Sequence, residues 1–318
     1  MRVLLVITDA PWYEPTGYAA AWVSALEAEG AVVDRLAELP ASWAAGGPPA
    51  PDLVVGHVLV EEVAAFAPTL QAVSALECAG ARLLNPVRTL LASADKLVTA
   101  AVWAGAGLPQ PATADLATVD RWPDPGRPMV LKPAFCDGAR HIGLVRSLEE
   151  ARAVERTWRE DEAAGGERRG AALLQEWVEE PTCVRLFATP TSTSLAYEKG
   201  RRPGELVTSG TVYPRVHEPS PELAALARDM VASLGGGLLG VDVLVARDGR
   251  LLALEANAPF GFDVTDPAQG RWVARAALAA ATVDAPAAVG TRAPTTTTGP
   301  AVGTRAPAAA TAPAAVRG

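Results

Sequence analysis

Lysine is scarce in this chain, and two of its three lysines stand where an ammonium group could bind phosphate. Lys132 ends an apolar segment, residues 128–131, and precedes a glycine-containing loop at residues 133–143. A lysine between a strand and such a loop is typical of a phosphate site, because its compact charge can follow moving phosphate oxygens. Lys96 is a second candidate. The alternative for Lys132 is an exposed lysine beside an ordinary turn, and Lys199 is interpreted as a surface residue at a strand end.

A second set of candidate residues lies in two apolar segments joined by an Asp-Gly turn. Residues 240–245 and 251–257 predict a β-hairpin. Asp242 interrupts the first strand, and Glu255 and Asn257 end the second strand on one face. Two carboxylates and an amide oxygen are hard ligands suited to Mg²⁺ held together with nucleotide phosphates. The alternative is that Asp242 pairs with a buried arginine and Glu255 points to solvent.

Strands that alternate with helices predict an α/β fold to position these residues. In the first lobe, the apolar pattern predicts strands at residues 2–8, 31–36, 52–56 and 81–84, and helices at residues 17–29 and 61–79. This order favours a parallel sheet covered on both faces. After this lobe, the apolar pattern predicts a helix at residues 93–104 that carries Lys96, strands around Val130 and Leu144, a helix at residues 148–162 and a strand at residues 172–175. In the last part it predicts strands at residues 184–188, 194–198, 241–245 and 251–255, and helices at residues 221–234 and 267–281.

Composition narrows the classes of partner. The net charge is −8, with 49% hydrophobic and 20% charged residues, which is typical of a soluble globular protein and argues against nucleic acid or an anionic membrane as partner. The apolar N-terminal run is too short for a signal peptide, and no segment has the length of a membrane helix. The three cysteines are widely spaced, which is typical of a protein in a reducing compartment, so we expect this protein in the cytoplasm. Their spacing does not match that of zinc ligands, which argues against a zinc site. The sequence is also compatible with a homo-oligomer.

The order of the candidate residues resembles the ATP-grasp superfamily, and within it the carboxylate–amine ligases of the RimK and LysX type. The ordered set is Lys96, Lys132 with its loop, residues 174–179, Asp242, Glu255 and Asn257. The resemblance covers roughly residues 85–281 and implies an α/β, ATP-grasp fold. It implies an N-terminal Rossmann-like α/β domain at residues 1–85, a central ATP-grasp lobe at 86–173, a C-terminal ATP-grasp lobe at 174–282 and an Ala/Pro/Thr-rich tail at 283–318, which we predict to be disordered.

The resemblance also implies roles for individual residues. ATP would be bound by Lys96, Lys132, Asp137, Gly138, Arg140, Ile142, Glu176, Trp177, Val178 and Glu179. Among these, the backbone of residues 176–178 would contact the adenine edge, and Glu179 would hold the ribose. Asp242, Glu255 and Asn257 would bind Mg²⁺, for which Mn²⁺ could substitute. Arg185, with Lys132, would be catalytic and would steady the phosphoryl or acylphosphate oxygens.

The implied reaction joins a carboxylate to an amine through an acylphosphate, with ADP and phosphate as products. Its substrates would be a small-molecule carboxylate and an amine that belongs to an amino acid or a peptide. One alternative is a cyclo-ligase that closes a ring within one small molecule, as in cycloserine-type synthesis. Another is a non-catalytic ATP-binding regulatory protein that has kept the fold.

Overall fold

The described residues of the computed structural model form three β-sheets. The structure describes residues 1–7, 18–36, 51–57, 63–78, 80–136, 140–200, 215–258, 260, 262 and 266–280. Met1–Val283 form one compact unit, and the predicted disordered tail lies outside the described residues. None of the described helices is long and apolar enough to cross a membrane.

The first sheet is parallel and has the strand order β2-β1-β3-β4. Its elements are β1 (Arg2–Ile7), α1 (Tyr18–Ala28), β2 (Val32–Leu36), β3 (Leu53–His57), α2 (Val63–Cys78) and β4 (Leu83–Leu84). Valine and leucine side chains of β1 and β3 are buried in two different core clusters, which include Leu5 and Leu4 respectively. Burial on both faces explains the unbroken apolar runs in these strands, and the predicted parallel sheet is confirmed.

The predicted helix at residues 93–104 corresponds to α4 (Lys96–Gly105), and the preceding helix α3 (Val87–Ala94) was not predicted. Asp95 separates them in an extended conformation, and its side chain accepts hydrogen bonds from the backbone N–H groups of Leu97 and Val98. This N-cap satisfies amide groups that have no partner within the helix. The cap places Lys96 at the first position of α4.

The second sheet is antiparallel and has the order β5-β8-β6-β7. Its elements are β5 (Thr113–Asp115), a short 3-10 helix (Leu116–Thr118), β6 (Met129–Pro133), β7 (Gly143–Val145), α5 (Leu148–Ala163) and β8 (Ala172–Glu176). Met129 and Leu131 pack into a cluster with Trp158 of α5. Because side chains alternate along a strand, Lys132 lies on the opposite face of β6. The predicted boundary at residues 173/174 falls inside β8.

The third sheet has five strands in the order β11-β10-β9-β12-β13. Its elements are β9 (Thr182–Ala188), β10 (Ala196–Glu198), β11 (Arg215–His217), α6 (Pro221–Leu234), β12 (Leu239–Val245) and β13 (Leu251–Asn257), and α7 (Pro267–Ala280) follows. One face packs against α6 through residues that include Val241 and Val243. The opposite face carries Asp242.

A β-bulge interrupts the pairing of β12 with β13. Asp242 is paired with Glu255, but its neighbour Val243 is paired with Ala253, so Leu254 has no partner on β12. An extra residue of this kind reverses the alternation of faces beyond it. Consequently Glu255 lies on the same face as Asp242, although strict alternation from Leu252 would put it on the face that α6 covers.

A close contact joins the end of the first sheet to the segment before β12. The side chain of Asn85 accepts a hydrogen bond of 2.6 Å from the backbone N–H of Leu238. Gly237 has a φ of +93°, and a Cβ atom there would lie 2.1 Å from the Asn85 Oδ1 atom. Only glycine fits both the backbone conformation and this approach.

Candidate active site

A narrow cleft lies between α4, the second sheet and the third sheet. Its wall includes Lys96 and Trp103 of α4, Lys132 and Gln175 of the second sheet, and Glu255 of β13. The two lysines singled out from the sequence and one of the predicted metal ligands therefore face one cavity, although they are up to 159 residues apart in the chain. The sequence shows only the order of these residues along the chain, whereas the structure shows that they lie close together.

Asp242 is the most deeply buried charged residue of the site, with 1% of its surface exposed. Its carboxylate accepts two hydrogen bonds from Arg185, Nε to Oδ1 and Nη2 to Oδ2, both of 2.7 Å. Burial alone would raise the pKa of Asp242, but Arg185 and then Lys199 outweigh it and hold this pKa below its ordinary value. The pairing with a buried arginine, which the sequence left as an alternative, is present in this ligand-free structure.

Glu255 does not point to solvent. Its carboxylate lies 3.0 Å from the Lys96 Nζ atom, and the side chain is 28% exposed. The Lys96 ammonium also donates a 2.5 Å hydrogen bond to the backbone carbonyl of Cys136. Burial would raise the pKa of Glu255, but the charges of Lys96, Lys132 and Lys199 together outweigh it and the pKa is lowered. Lys96 thus connects β13 to the start of the predicted phosphate loop.

Lys132 is 5% exposed, and among the described residues no carboxylate lies within ion-pair distance of its ammonium group. Burial lowers the pKa of Lys132 to about 8, which the charge of Glu255 only partly offsets, and Lys96 lowers it further. A buried ammonium without a paired anion costs free energy in the ligand-free protein. Such a group is suited to an anion that arrives from outside, which agrees with a phosphate ligand.

Lys199 was wrongly interpreted as a surface residue. Its side chain is only 9% exposed, and Nζ lies 3.1 Å from the Asp242 Oδ2 atom. Burial would lower the pKa of Lys199, but the neighbouring acidic groups, Asp242 first among them, together outweigh it and the pKa is raised. The pairing of β9 with β10 brings Lys199 to Asp242, 43 residues away in sequence. The scarcity of lysine was the one signal that could have drawn attention to it.

The predicted nucleotide-contacting loop and connecting strand are described in part. Asp137 and Gly138 lie outside the described residues, whereas Arg140 is exposed and lies 3.2 Å from Glu167. Ile142 precedes β7 and is half-buried. Glu176 ends β8 next to the cleft, and its backbone N–H donates to the carbonyl of Ala112.

The three residues that follow β8 leave the sheet. Val178 is buried, Trp177 is half-buried and Glu179 is exposed. Among the hydrogen bonds of the described residues, none is donated by the backbone N–H of Trp177 or Val178. The predicted contacts of residues 176–179 with adenine and ribose stay predictions.

The donor set around Asp242 fits a divalent cation bound jointly with phosphates. Asp242, Glu255 and Asn257 lie on one face of the third sheet. The Asn257 side chain donates from Nδ2 to the Gly240 carbonyl, which turns its oxygen, the ligand atom, away from that carbonyl. In the described part of the chain no group of three or more His, Cys, Asp or Glu could hold a metal unaided. Two carboxylates and an amide leave positions that phosphate oxygens would fill.

Four cationic side chains in and beside this cleft are nearly buried, with exposed fractions of 5 to 13%: Lys96, Lys132, Arg185 and Lys199. Lys96 and Lys132 line the cleft, whereas Arg185 and Lys199 contact the neighbouring Asp242. Buried charges are stable when they are paired, and Lys132 has no carboxylate within ion-pair distance among the described residues. An anionic ligand would provide such a pairing.

The fold and the site define a protein with a cleft between two sheets, lined by two lysines and an acid. Residues 93–261 match the family ATP-grasp_3, described as an ATP-grasp domain. This match spans more than half of the chain, and the chain belongs to the ATP-grasp family. The predicted family and the α/β, ATP-grasp fold are thereby confirmed.

Solved structures show the same fold. The ATP-grasp ligase PsnB complexed with a minimal precursor is similar with a TM-score of 0.61 and 17% identity, over 88% of this chain and 98% of that chain. A RimK domain ATP-grasp protein from Sphaerobacter thermophilus has a TM-score of 0.59 and 20% identity, over 87% of this chain and 100% of that chain. D-cycloserine synthetase DcsG has a TM-score of 0.62 and 18% identity, over 87% of this chain and 98% of that chain. At these identities the similarity establishes the shared, RimK-like fold.

Proposed function

We propose that this chain is an ATP-dependent ligase that activates a carboxylate as an acylphosphate and joins it to an amine. The observation that carries the proposal is the buried Lys132 ammonium, which has no carboxylate within ion-pair distance among the described residues and faces the same cleft as Lys96 and Glu255. The complex of one Mg²⁺ with ATP carries a net charge of about −2 and would supply an anion for this ammonium. A PsnB structure of the same fold was obtained with Mg and ADP, which supports this ligand.

The residues of the chain would divide the work of binding. The Lys96 and Lys132 ammonium groups would contact the phosphates, and Trp177 and Val178 would present backbone amides to the base. Asp242, Glu255 and Asn257 would hold Mg²⁺, which neutralises charge on the phosphates during transfer. Preorganisation of such groups would lower the free energy of the transition state.

Arg185 would act on the transferred group. Its guanidinium is held by Asp242 through two parallel hydrogen bonds, which fixes the plane of the fork. In the proposed reaction a substrate carboxylate oxygen attacks the γ-phosphorus, and the bond to the leaving ADP oxygen breaks. The amine then attacks the acyl carbon, phosphate leaves with the electrons of the C–O bond, and the amine loses a proton. Arg185 would stabilise the negative oxygens in both steps.

ADP formation from ATP and Mg²⁺ in the presence of mixed amino acids tests the proposal. Lys132→Ala and Glu255→Ala should each lower turnover by about a hundredfold or more, because each removes a charged group from the phosphate or metal site. Arg215→Ala and Glu149→Ala are matched controls at exposed positions and should leave turnover unchanged. Unchanged turnover in the Lys132 and Glu255 variants would contradict the assignment of the site.

Two other functions are separated by the same assay. A cyclo-ligase of the kind that the fold of DcsG supports would form ADP with one small-molecule substrate and no added amine. An acceptor such as the peptide precursor of PsnB would instead make turnover depend on a second substrate. A non-catalytic ATP-binding protein would bind Mg·ATP tightly and form no ADP with any substrate set.

A further inference from the structure

Lys199 holds the carboxylate that a divalent cation would need. The Asp242 Oδ2 atom accepts from Arg185 at 2.7 Å and from Lys199 at 3.1 Å, so both partners share one oxygen. Arg185 also binds Oδ1, which makes it the firmer of the two partners. All three side chains are at least nine-tenths buried.

The two cations differ in how easily they can leave Asp242. Arg185 is a planar fork held by two hydrogen bonds, and it lies directly opposite Asp242 on the neighbouring strand. Lys199 approaches from beyond the end of β10 with a single contact from a flexible four-carbon stem. A ligand that takes Oδ2 would therefore displace Lys199 and leave the Arg185 pair largely in place.

Displacement of Lys199 by a bare metal ion would add positive charge to a region that already holds Lys96, Lys132 and Arg185. Lys96 and Lys132 both lie near Glu255, and their charges act on it together with that of Lys199. A dication that entered alone would leave the released ammonium buried without an anion, which is costly. A dication that entered with phosphates would bring an acceptor for that ammonium.

We propose that Lys199 is a positioning residue that competes with divalent metal for Asp242, so that metal enters the site together with nucleotide phosphates. This inference rests on the proposed function, because it assumes that Asp242 is a metal ligand for a bound nucleotide. Lys199 keeps the ligand-free site occupied and makes its affinity for free metal low. Nucleotide binding then raises the affinity for metal, and by linkage metal raises the affinity for nucleotide by the same factor.

Binding of Mn²⁺, followed by its electron paramagnetic resonance signal with and without ADP, tests the proposal. Lys199→Met should bind free Mn²⁺ about tenfold more tightly than wild type, since it lacks the competing charge next to Asp242. The factor by which ADP strengthens Mn²⁺ binding should fall by a similar amount. Arg215→Met removes a charge from the neighbouring β11, at a position 75% exposed, and should match wild type.

Nitrogen-15 labelling of lysine gives a second measurement on the wild-type protein, which remains informative if Lys199→Met does not fold. Only three lysine signals are expected, and Lys199→Arg removes one of them, which assigns it. Mg²⁺ alone should leave the Lys199 signal in place, whereas Mg²⁺ with ADP should shift it. A Lys199 signal that does not move with Mg²⁺ and ADP would overturn the proposal, as would one that moves fully with Mg²⁺ alone.

The outcomes also separate this inference from the proposed function. If wild-type protein binds neither ADP nor ATP in the presence of Mg²⁺, the proposed function fails. If nucleotide binds but Lys199→Met has the Mn²⁺ affinity of wild type, only the role of Lys199 fails.

Discussion

Replacement of Lys132 by methionine should stabilise the ligand-free protein while it removes nucleotide binding. Methionine keeps most of the apolar stem and removes the buried ammonium, which has no carboxylate partner among the described residues. The pKa falls from the ordinary 10.5 to about 8 in the folded protein. At about 1.4 kcal/mol for each pKa unit, this corresponds to a cost of about 3 kcal/mol for keeping the charged lysine in the folded state.

The pH dependence follows from the sign of this shift. The folded-state pKa of Lys132 is lower than its unfolded-state pKa, so the unfolded chain holds the proton more strongly. Below pH 8 both states are protonated and the full cost is present. As the pH rises from about 8 to 10.5, the folded state loses the proton first and the cost disappears. The advantage of Lys132→Met should therefore be greatest at pH 7 and should shrink at pH 9.5.

Urea unfolding of the ligand-free proteins at the two pH values measures this difference. Lys96→Met is the matched comparison, because Lys96 is paired with Glu255 at 3.0 Å and its removal should lower stability. The two lysine-to-methionine changes are thus expected to have opposite signs. A Lys132→Met protein that is no more stable than wild type at pH 7 would refute the argument that Lys132 is held in the site at a cost in stability.

Two further changes test contacts of the fold. Asp242→Asn leaves Arg185 buried without its anion and should lower the free energy of unfolding by about 3 kcal/mol, as urea unfolding would show; a loss below about 1 kcal/mol would contradict the buried pair. Gly237→Ala places a Cβ 2.1 Å from the Asn85 Oδ1 atom and should cost more than about 2 kcal/mol, whereas Gly249→Ala, with φ +83° and no atom within 4 Å, should cost only about 1 kcal/mol. Equal losses in thermal unfolding would contradict the close contact.

Most elements of the fold could be predicted because their patterns are local. The helix at residues 221–234 has a serine N-cap, a proline in its first turn and a left-handed glycine after its last residue, and its bounds are as predicted. The hairpin of β12 and β13 was predicted from its Asp-Gly turn, and Asp242 and Asn257 do share a face. The family was predicted from ordered residues that the structure brings to one cleft.

The features that the sequence did not predict depend on tertiary contacts or on the single helix N-cap at Asp95. The break at Asp95 lies within a continuous helical pattern, and only the N-cap hydrogen bonds reveal it. The burial of Lys199 follows from strand pairing across 43 residues, which no local spacing encodes. The pairing of Asp242 with Arg185 could be named from the sequence only as an alternative, because the sequence does not show which cation faces which acid.

Because of the bulge at Leu254, strand β13 of the third sheet should tolerate the loss of one residue at that position. Leu254 and Glu255 are consecutive, yet both line the cleft, so one strand offers an apolar group and an acid to the same cavity. Deletion of Leu254 would convert the bulge into a regular ladder and would keep Glu255 opposite Asp242. Loss of one residue, which in an ordinary strand moves every later side chain to the wrong face, would here remove one apolar contact and preserve the paired acids. The apolar residue that Leu254 contributes to the cleft can therefore change without moving the paired acids Asp242 and Glu255.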